Sequence, residues 1–345
     1  MRTNMAANKS IKIGGTTISP GTRVNVELPV ADLYTSTSLS MPVQVICGRS
    51  AGPVLFVSAA IHGDELNGVE VIRRLLKRKA LRSIRGTLVA VPIVNVHGFL
   101  NQSRYLPDRR DLNRSFPGSS KGSIASRLAN IFMKQIVSKA DYGIDLHTGA
   151  INRSNLPQIR ANLDDPATLD IAMAFGVPVI INSNIRDGSL RGCAADMNMP
   201  VLIYEAGEAL RFDEVSIRAG LRGILNVMRN IGMLPKLRKP KIVTPVIAKS
   251  TSWVRAPGSG IFSAKIALGK RVQQGQHLAL ISDPLGDEEE HVLAPFDGIV
   301  IGQNNLPLAH EGDALFNLGA FKSIPRAENL VENFTAEHDD DPTPT

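Results

Sequence analysis

Val54-Leu-Phe-Val-Ser-Ala-Ala-Ile-His-Gly-Asp-Glu65 decides how this chain is read. Its first seven residues are apolar apart from one serine, as expected for a strand buried on both faces. A polar turn follows, and then Val69, Ile72, Leu75 and Leu76 recur at helical spacing. The same strand-then-helix unit repeats downstream. Residues 88–94, 143–146 and 201–204 read as buried strands, with helices expected over 123–139, 167–175 and 215–230. Alternating strands and helices predict an α/β fold around a largely parallel sheet. Upstream, Thr22-Arg-Val-Asn-Val-Glu-Leu28 and Pro42-Val-Gln-Val-Ile46 alternate in the manner of half-buried strands. Residues 1–50 are therefore expected to pack as β segments on the domains that follow.

The pattern changes after residue 231. Residues 232–242 carry two prolines and a cluster of basic side chains and read as a linker. From 243 to 325 the runs are short, strand-like and punctuated by Gly and Pro. Ala256-Pro-Gly-Ser-Gly-Ile-Phe262 is echoed by Ala294-Pro-Phe-Asp-Gly-Ile-Val300, which predicts a small all-β barrel or sandwich of two similar halves. Residues 326–345 are acidic and are expected to be disordered.

Composition excludes several classes. Of 345 residues 43% are apolar and 21% charged, an ordinary globular balance rather than a low-complexity one. Cys47 and Cys193 cannot build a disulfide framework, and neither sits in a CxxC pair. No apolar run approaches the roughly 20 residues of a membrane span, and the first ten residues lack a signal-peptide core. A cytoplasmic protein is expected, with no membrane partner. The 39 basic and 32 acidic residues give +7, and the last twenty hold six acids and one arginine. Aromatics are only 5%, so the stacking platforms of a nucleic-acid binder are missing. The basic surplus instead favours small anionic substrates.

Four groups that carry chemistry lie at the carboxyl ends of expected strands: His62 and Glu65 in His62-Gly-Asp-Glu65, His147 in Asp145-Leu-His147, and Glu205 in Tyr204-Glu-Ala-Gly207. Ligand sites of open parallel sheets lie outside those ends, so the four can converge. On one helical turn His62 and Glu65 stand about 5–6 Å apart at Cβ, close enough to share an ion. Two histidines and a carboxylate are a catalytic zinc set with a coordination position left open. Glu205 would then be the general base. A mixed nitrogen and oxygen set also admits manganese or cobalt. Between residues 95 and 118 lies a long polar loop rich in arginine, including Arg104 and Arg114. Guanidinium groups there suit a substrate carboxylate or a developing oxyanion.

These residues make the chain recognisable. His62-Gly-Asp-Glu65, Asp111-Leu-Asn-Arg114, Asp145-Leu-His147 and the glutamate of Ile203-Tyr-Glu-Ala-Gly207 resemble, in order and separation, the motifs of the succinylglutamate desuccinylase/aspartoacylase family, a branch of the zinc-carboxypeptidase superfamily. The resemblance spans roughly residues 40–325 and implies a carboxypeptidase-like catalytic domain over 51–231. It implies that His62, Glu65 and His147 hold one zinc ion (Zn2+) and that Glu205 is the base. It further implies that Arg104 polarises the scissile carbonyl, that Asn113 and Arg114 grip a substrate carboxylate, and that Asp111 orients a zinc-binding histidine. The β module resembles the biotinyl/lipoyl-like hairpins that follow this family's catalytic domain. Its turn at Ser282-Asp-Pro-Leu-Gly-Asp-Glu-Glu-Glu290 has no lysine for a covalent cofactor, so a wall at the mouth of the site is expected instead. An added β domain often supplies subunit contacts, which makes a homo-oligomer one expectation.

The expected function is zinc-dependent hydrolysis of the amide in a small N-acyl amino acid. Two alternatives stay open at this stage: a zinc carboxypeptidase on short peptides, and a non-catalytic metal- or ligand-binding protein on the same fold. Trp253, His97 and the two cysteines are expected to serve packing or local hydrogen bonds.

Overall fold

The parallel core begins with Ser50–Ala59 (β3), whose last five residues are buried. In chain order the principal elements are Thr22–Asp32 (β1), Ser38–Cys47 (β2), β3, Asn67–Leu76 (α1), Arg85–Val91 (β4), Ile124–Gln135 (α2), Tyr142–Gly149 (β5), Arg153–Ala161 (β6), Pro166–Phe175 (α3), Val179–Asn182 (β7), Leu190–Asp196 (α4), Val201–Glu208 (β8) and Glu214–Asn230 (α5), with a short helix Val96–Leu100 in the loop after β4. The C-terminal part adds Val246–Ala248 (β9), Ser250–Arg255 (β10), Gly260–Ala264 (β11), His277–Ser282 (β12), Glu289–Leu293 (β13), Gly298–Asn304 (β14), Ala314–Ala320 (β15) and Ile324–Asp339 (α6). This computed structural model describes residues 6–184, 186–238 and 244–339.

Four parallel strands in the order β4-β3-β5-β8 form the centre of the main sheet. Antiparallel β2 and β1 extend it beyond β4, and antiparallel β6 lies beyond β8. Helices α1, α3 and α5 bury Val71, Ile72, Leu75, Ile171 and Ile217 against one face. Helices α2 and α4 bury Leu128, Phe132 and Leu190 against the other. With both faces covered, the strands are buried on both sides, which is why their sequences are continuous apolar runs rather than alternating ones. The helix expected over 123–139 stops at Gln135 and tightens into a short 3-10 turn at Val137–Lys139.

Three domain expectations need correction. The N-terminal strands do not reach the C-terminal module; sheet order puts β1 and β2 at the opposite edge, where their alternating apolar residues cover the α2 face. The β module is not a separate body behind a linker. Its β14 pairs antiparallel with β6 (Gly302 with Asn155, Asn304 with Arg153), and β9 pairs with β7, so one sheet runs through both parts and no bare β6 edge is left. The linker's start is itself anchored, because Met233 and Leu234 are buried in the main core; residues 239–243 lie outside those described.

The third correction concerns the tail. Residues 324–339 are helical, since Ala327, Val331, Phe334 and His338 recur at helical spacing and are all buried. The acids of α6 face basic partners: Glu337 pairs with Arg222, and Glu332 with Lys270 at 2.9 Å. Residues 340–345, where disorder is also expected, lie outside those described. No helix among the described residues is long and apolar enough to cross a membrane.

Phe334 belongs to the main core, so Phe334→Ala is expected to lower unfolding free energy by about 3–5 kcal/mol in chemical denaturation. An unchanged denaturation midpoint would return α6 to the status of a loose tail.

Candidate metal centre

The carboxyl ends of β3, β5 and β8 meet at one end of a cavity of about 580 Å³. His62 and Glu65 sit in the turn between β3 and α1, and both are buried. Gly63 holds this turn against the next loop: a Cβ there would fall 1.9 Å from the carbonyl carbon of Gly98, so no other residue fits. His147 lies within β5 and Glu205 within β8, not beyond the strand ends, and parallel pairing sets the two directly side by side.

One ligand atom from each of His62, Glu65 and His147 can be chosen so that all lie within 4.8 Å of one another. His62 Nδ1 is 2.7 Å from Glu65 Oε1, and His147 Nδ1 is 2.8 Å from Glu65 Oε2. The far nitrogens are also taken: His62 Nε2 is 3.2 Å from Asp111 Oδ1, and His147 Nε2 is 2.6 Å from Asp145 Oδ2. Ser58 donates to the other oxygen of Asp145 at 2.7 Å. An Nε2–H donated outward fixes the tautomer and leaves the Nδ1 lone pair facing inward. Two inward lone pairs would then oppose an acceptor-only carboxylate, which is unfavourable unless a cation lies between them.

The charge count agrees. Glu65, Asp111 and Asp145 supply three formal negative charges, and Arg104 supplies one positive, 3.0 Å from Asp111 and 3.4 Å from Glu65. That deficit of two can be met by one divalent ion facing neutral imidazoles, or by a proton on each imidazole when no ion is bound. The residues therefore fit a zinc-like ion, with borderline nitrogen and oxygen donors that zinc accepts. Burial pushes Glu65 upward, but the two imidazoles outweigh it and hold the carboxyl far below its usual range. Burial opposes charge on His62 and His147; Glu65, with Asp111 and Asp145 respectively, still raises both.

Of the other expected residues, Arg104, Asn113, Arg114 and Glu205 line the same cavity, while Asp111 stands behind His62. Arg114 donates to the backbone oxygen of Asn113 at 2.5 Å, and Asn113 accepts from Leu190 N at 3.0 Å, so its amide nitrogen is the part left for a ligand. Asp111 also accepts from Asn113 N, tying the loop to His62. Glu205 accepts from Asn155 at 2.7 Å, with Arg160 3.8 Å from its other oxygen. Its strand is held to α1 by Asn67, which donates to Ala206 O and accepts from Asp213 N. Gly207, at φ +73°, leaves Asn67 the space to do so.

Several residues of the site are not among those expected from sequence. Asp145 is one, although an Asp two residues before a His on a strand must share its face. Arg160, Arg186 and Arg191 also line the cavity, and Arg191 is buried with its Nε unpartnered. Burial, with Arg160 and Arg186 nearby, brings Arg191 down to about 10. Trp253, expected in a core, instead walls the cavity with Thr251 and stacks under Arg153 at 5.4 Å. His97 does not line it, and no other group of three ligating residues occurs among the described residues.

Comparison with known proteins gives the family. The profile of the succinylglutamate desuccinylase/aspartoacylase catalytic domain matches residues 51–231. The N-alpha-acetyl-L-2,4-diaminobutyric acid deacetylase of Halomonas elongata is 27% identical over 270 residues, covering 75% of this chain and 79% of that protein. The product-bound structure of the ectoine utilization protein EutE from Ruegeria pomeroyi matches with a TM-score of 0.78 and 25% identity, over 86% of this chain and 95% of that one. A succinylglutamate desuccinylase/aspartoacylase from Rhodobacter sphaeroides gives 0.78 and 26%, over 87% and 96%. Sequence profile, relatives and site motifs agree that this chain belongs to the succinylglutamate desuccinylase/aspartoacylase family of amide hydrolases.

Proposed function

We propose that this protein is a zinc-dependent deacylase that splits the amide of a small, carboxylate-rich N-acyl amino acid into a carboxylate and an amine. One observation carries the reading: a His62–Glu65–His147 cluster and Glu205 line one cavity together with six arginines. His62, Glu65 and His147 would hold the ion, which when bound supplies Lewis acidity for a carbonyl and for water.

The chain's own residues divide the remaining work. Glu205 takes a proton from the attacking water as the C–O bond forms, and then returns it to the leaving nitrogen as the C–N bond breaks. Arg104 stands beside Glu65, where its guanidinium can meet charge growing on the carbonyl oxygen. Arg114 and the free amide of Asn113 hold a carboxylate and so orient the amide. Thr251 and Trp253 close one side, which favours a compact substrate over a peptide.

Charge narrows the substrate class. Arg104, Arg114, Arg153, Arg160, Arg186 and Arg191 line the cavity, while Glu65 and Glu205 are its only acids among the described residues. Neither acid is spare, so nothing remains to receive the ammonium group of a diamino acid. A substrate with more than one carboxylate, such as an N-acyl aspartate or glutamate, suits this wall. The cytoplasmic location belongs to the same proposal and is supported by two cysteines that are both free thiols.

Glu205→Gln is expected to keep its metal, by elemental analysis, while kcat falls about 10²–10⁴-fold; near-parent turnover would remove Glu205 from the base role. His147→Ala is expected to lose the ion itself, and a full metal complement would break the assigned ligand set. In a panel of N-acyl amino acids, aspartate and glutamate derivatives should exceed Nα-acetyl-2,4-diaminobutyrate in kcat/KM. Arg191→Ala should raise KM for the favoured substrate about 10–100-fold, the weight of a charge-assisted hydrogen bond. Preference for the diamino acid would overturn the charge argument.

A further inference from the structure

Among the described residues, Asn155 is the one hydrogen-bond donor to the Glu205 side chain, and it is buried. A carboxylate only accepts, so the amide nitrogen of Asn155 must face Glu205 and its Oδ1 must face elsewhere. Oδ1 faces Gly302 of β14, the residue opposite Asn155 across the β6–β14 pair. A Cβ at Gly302 would lie 3.0 Å from Asn155 Oδ1, 3.2 Å from Asn317 Cβ and 3.6 Å from the Trp253 ring.

The same register continues across the C-terminal module, with Gly302 opposite Asn317 and Asn317 opposite Trp253. Directly opposed residues share a face, so one row of side chains runs from the module to the neighbour of Glu205. Gly302 does not have a positive φ. A methyl group here would press on Asn155 and Asn317 by a few tenths of an ångström, so the position favours glycine for its size and not for a special backbone conformation.

We propose that Gly302 is the seat of Asn155, and that through Asn155 the C-terminal module holds Glu205 in the orientation its proton transfer needs. The inference rests on Glu205 being the base. Asn155 is here a positioning residue: it neither ligates the ion nor carries the proton. The module thereby acts on the reaction as well as walling the cavity.

The test uses the full chain and the best-turned-over member of the N-acyl amino acid panel. Asn155→Ala and Asn155→Asp should each lower kcat about 10- to 100-fold, the usual penalty for a displaced catalytic group, with KM within about twofold and metal content unchanged. Gly302→Ala should lower kcat similarly, and adding it to Asn155→Ala should cost nothing more, because both act through one contact. A crystal structure of Gly302→Ala should have Asn155 displaced and its bond to Glu205 lengthened by a few tenths of an ångström, with His62, Glu65 and His147 unmoved.

Asn155→Asp keeps the shape of the side chain, so its result does not depend on Gly302→Ala folding. Multiplicative losses in the double variant, parent-like kcat in the Asn155 variants, or an unmoved Asn155 in the Gly302→Ala crystal would each overturn the proposal. An inactive Glu205→Gln beside fully active Asn155 variants removes this inference alone. A fully active Glu205→Gln removes the base and this inference together.

Discussion

The Nδ1 atoms of His62 and His147 are aimed at the two oxygens of Glu65, at 2.7 and 2.8 Å, where water is largely excluded. An ionised carboxylate withdrawn from water is expensive, several kcal/mol even after relaxation, and persists only with compensation close by. Around Glu65 that compensation is built outward in steps. Asp111 and Asp145 fix the two rings, Ser58 and Asn113 fix those carboxylates, and Arg104 bridges Asp111 to Glu65. Each step leaves the assembly more negative than its single guanidinium can balance, which is the electrostatic condition for holding a divalent cation.

Backbone pairing gives this assembly its precision. Parallel registers join Ala59 to Leu146 and His147 to Glu205, so residues separated by more than fifty positions become lateral neighbours. A one-residue slip would turn every inward side chain to the other face, and buried layers of helix on both faces forbid it. The site is therefore as rigid as the sheet that carries it, and the long arginine-bearing loop after β4 is held to it through Asp111.

Much of this was legible in residue order. The apolar run before His62 and the recurrence of strand and helix were enough to predict the parallel core and to bring His62, Glu65, His147 and Glu205 toward one edge. Arg160 and Arg191 were not legible, because each lies in an otherwise ordinary strand or helix and faces the cavity only through tertiary placement. In the acidic tail, helical periodicity outweighs charge. Its apolar residues are few but fall on one stripe, and its acids meet Arg222 and Lys270 on the body of the protein. A lone tryptophan usually packs in a core, but among the described residues the strand of Trp253 pairs with β15 alone, and its other side looks into the cavity.

The division into a catalytic domain and an appended β module does not survive the strand pairing. A parallel sheet that ended at β6 would expose a row of unpaired backbone groups beside the residue that holds Glu205. Pairing with β14 satisfies those groups and, at the same register position, brings a residue without a side chain against Asn155. Edge protection and support of Glu205 are thus met by one contact. A module joined only by a flexible linker could have walled the cavity but could not have fixed a carboxylate to a fraction of an ångström. The continuous sheet makes the C-terminal strands part of the site rather than an accessory to it.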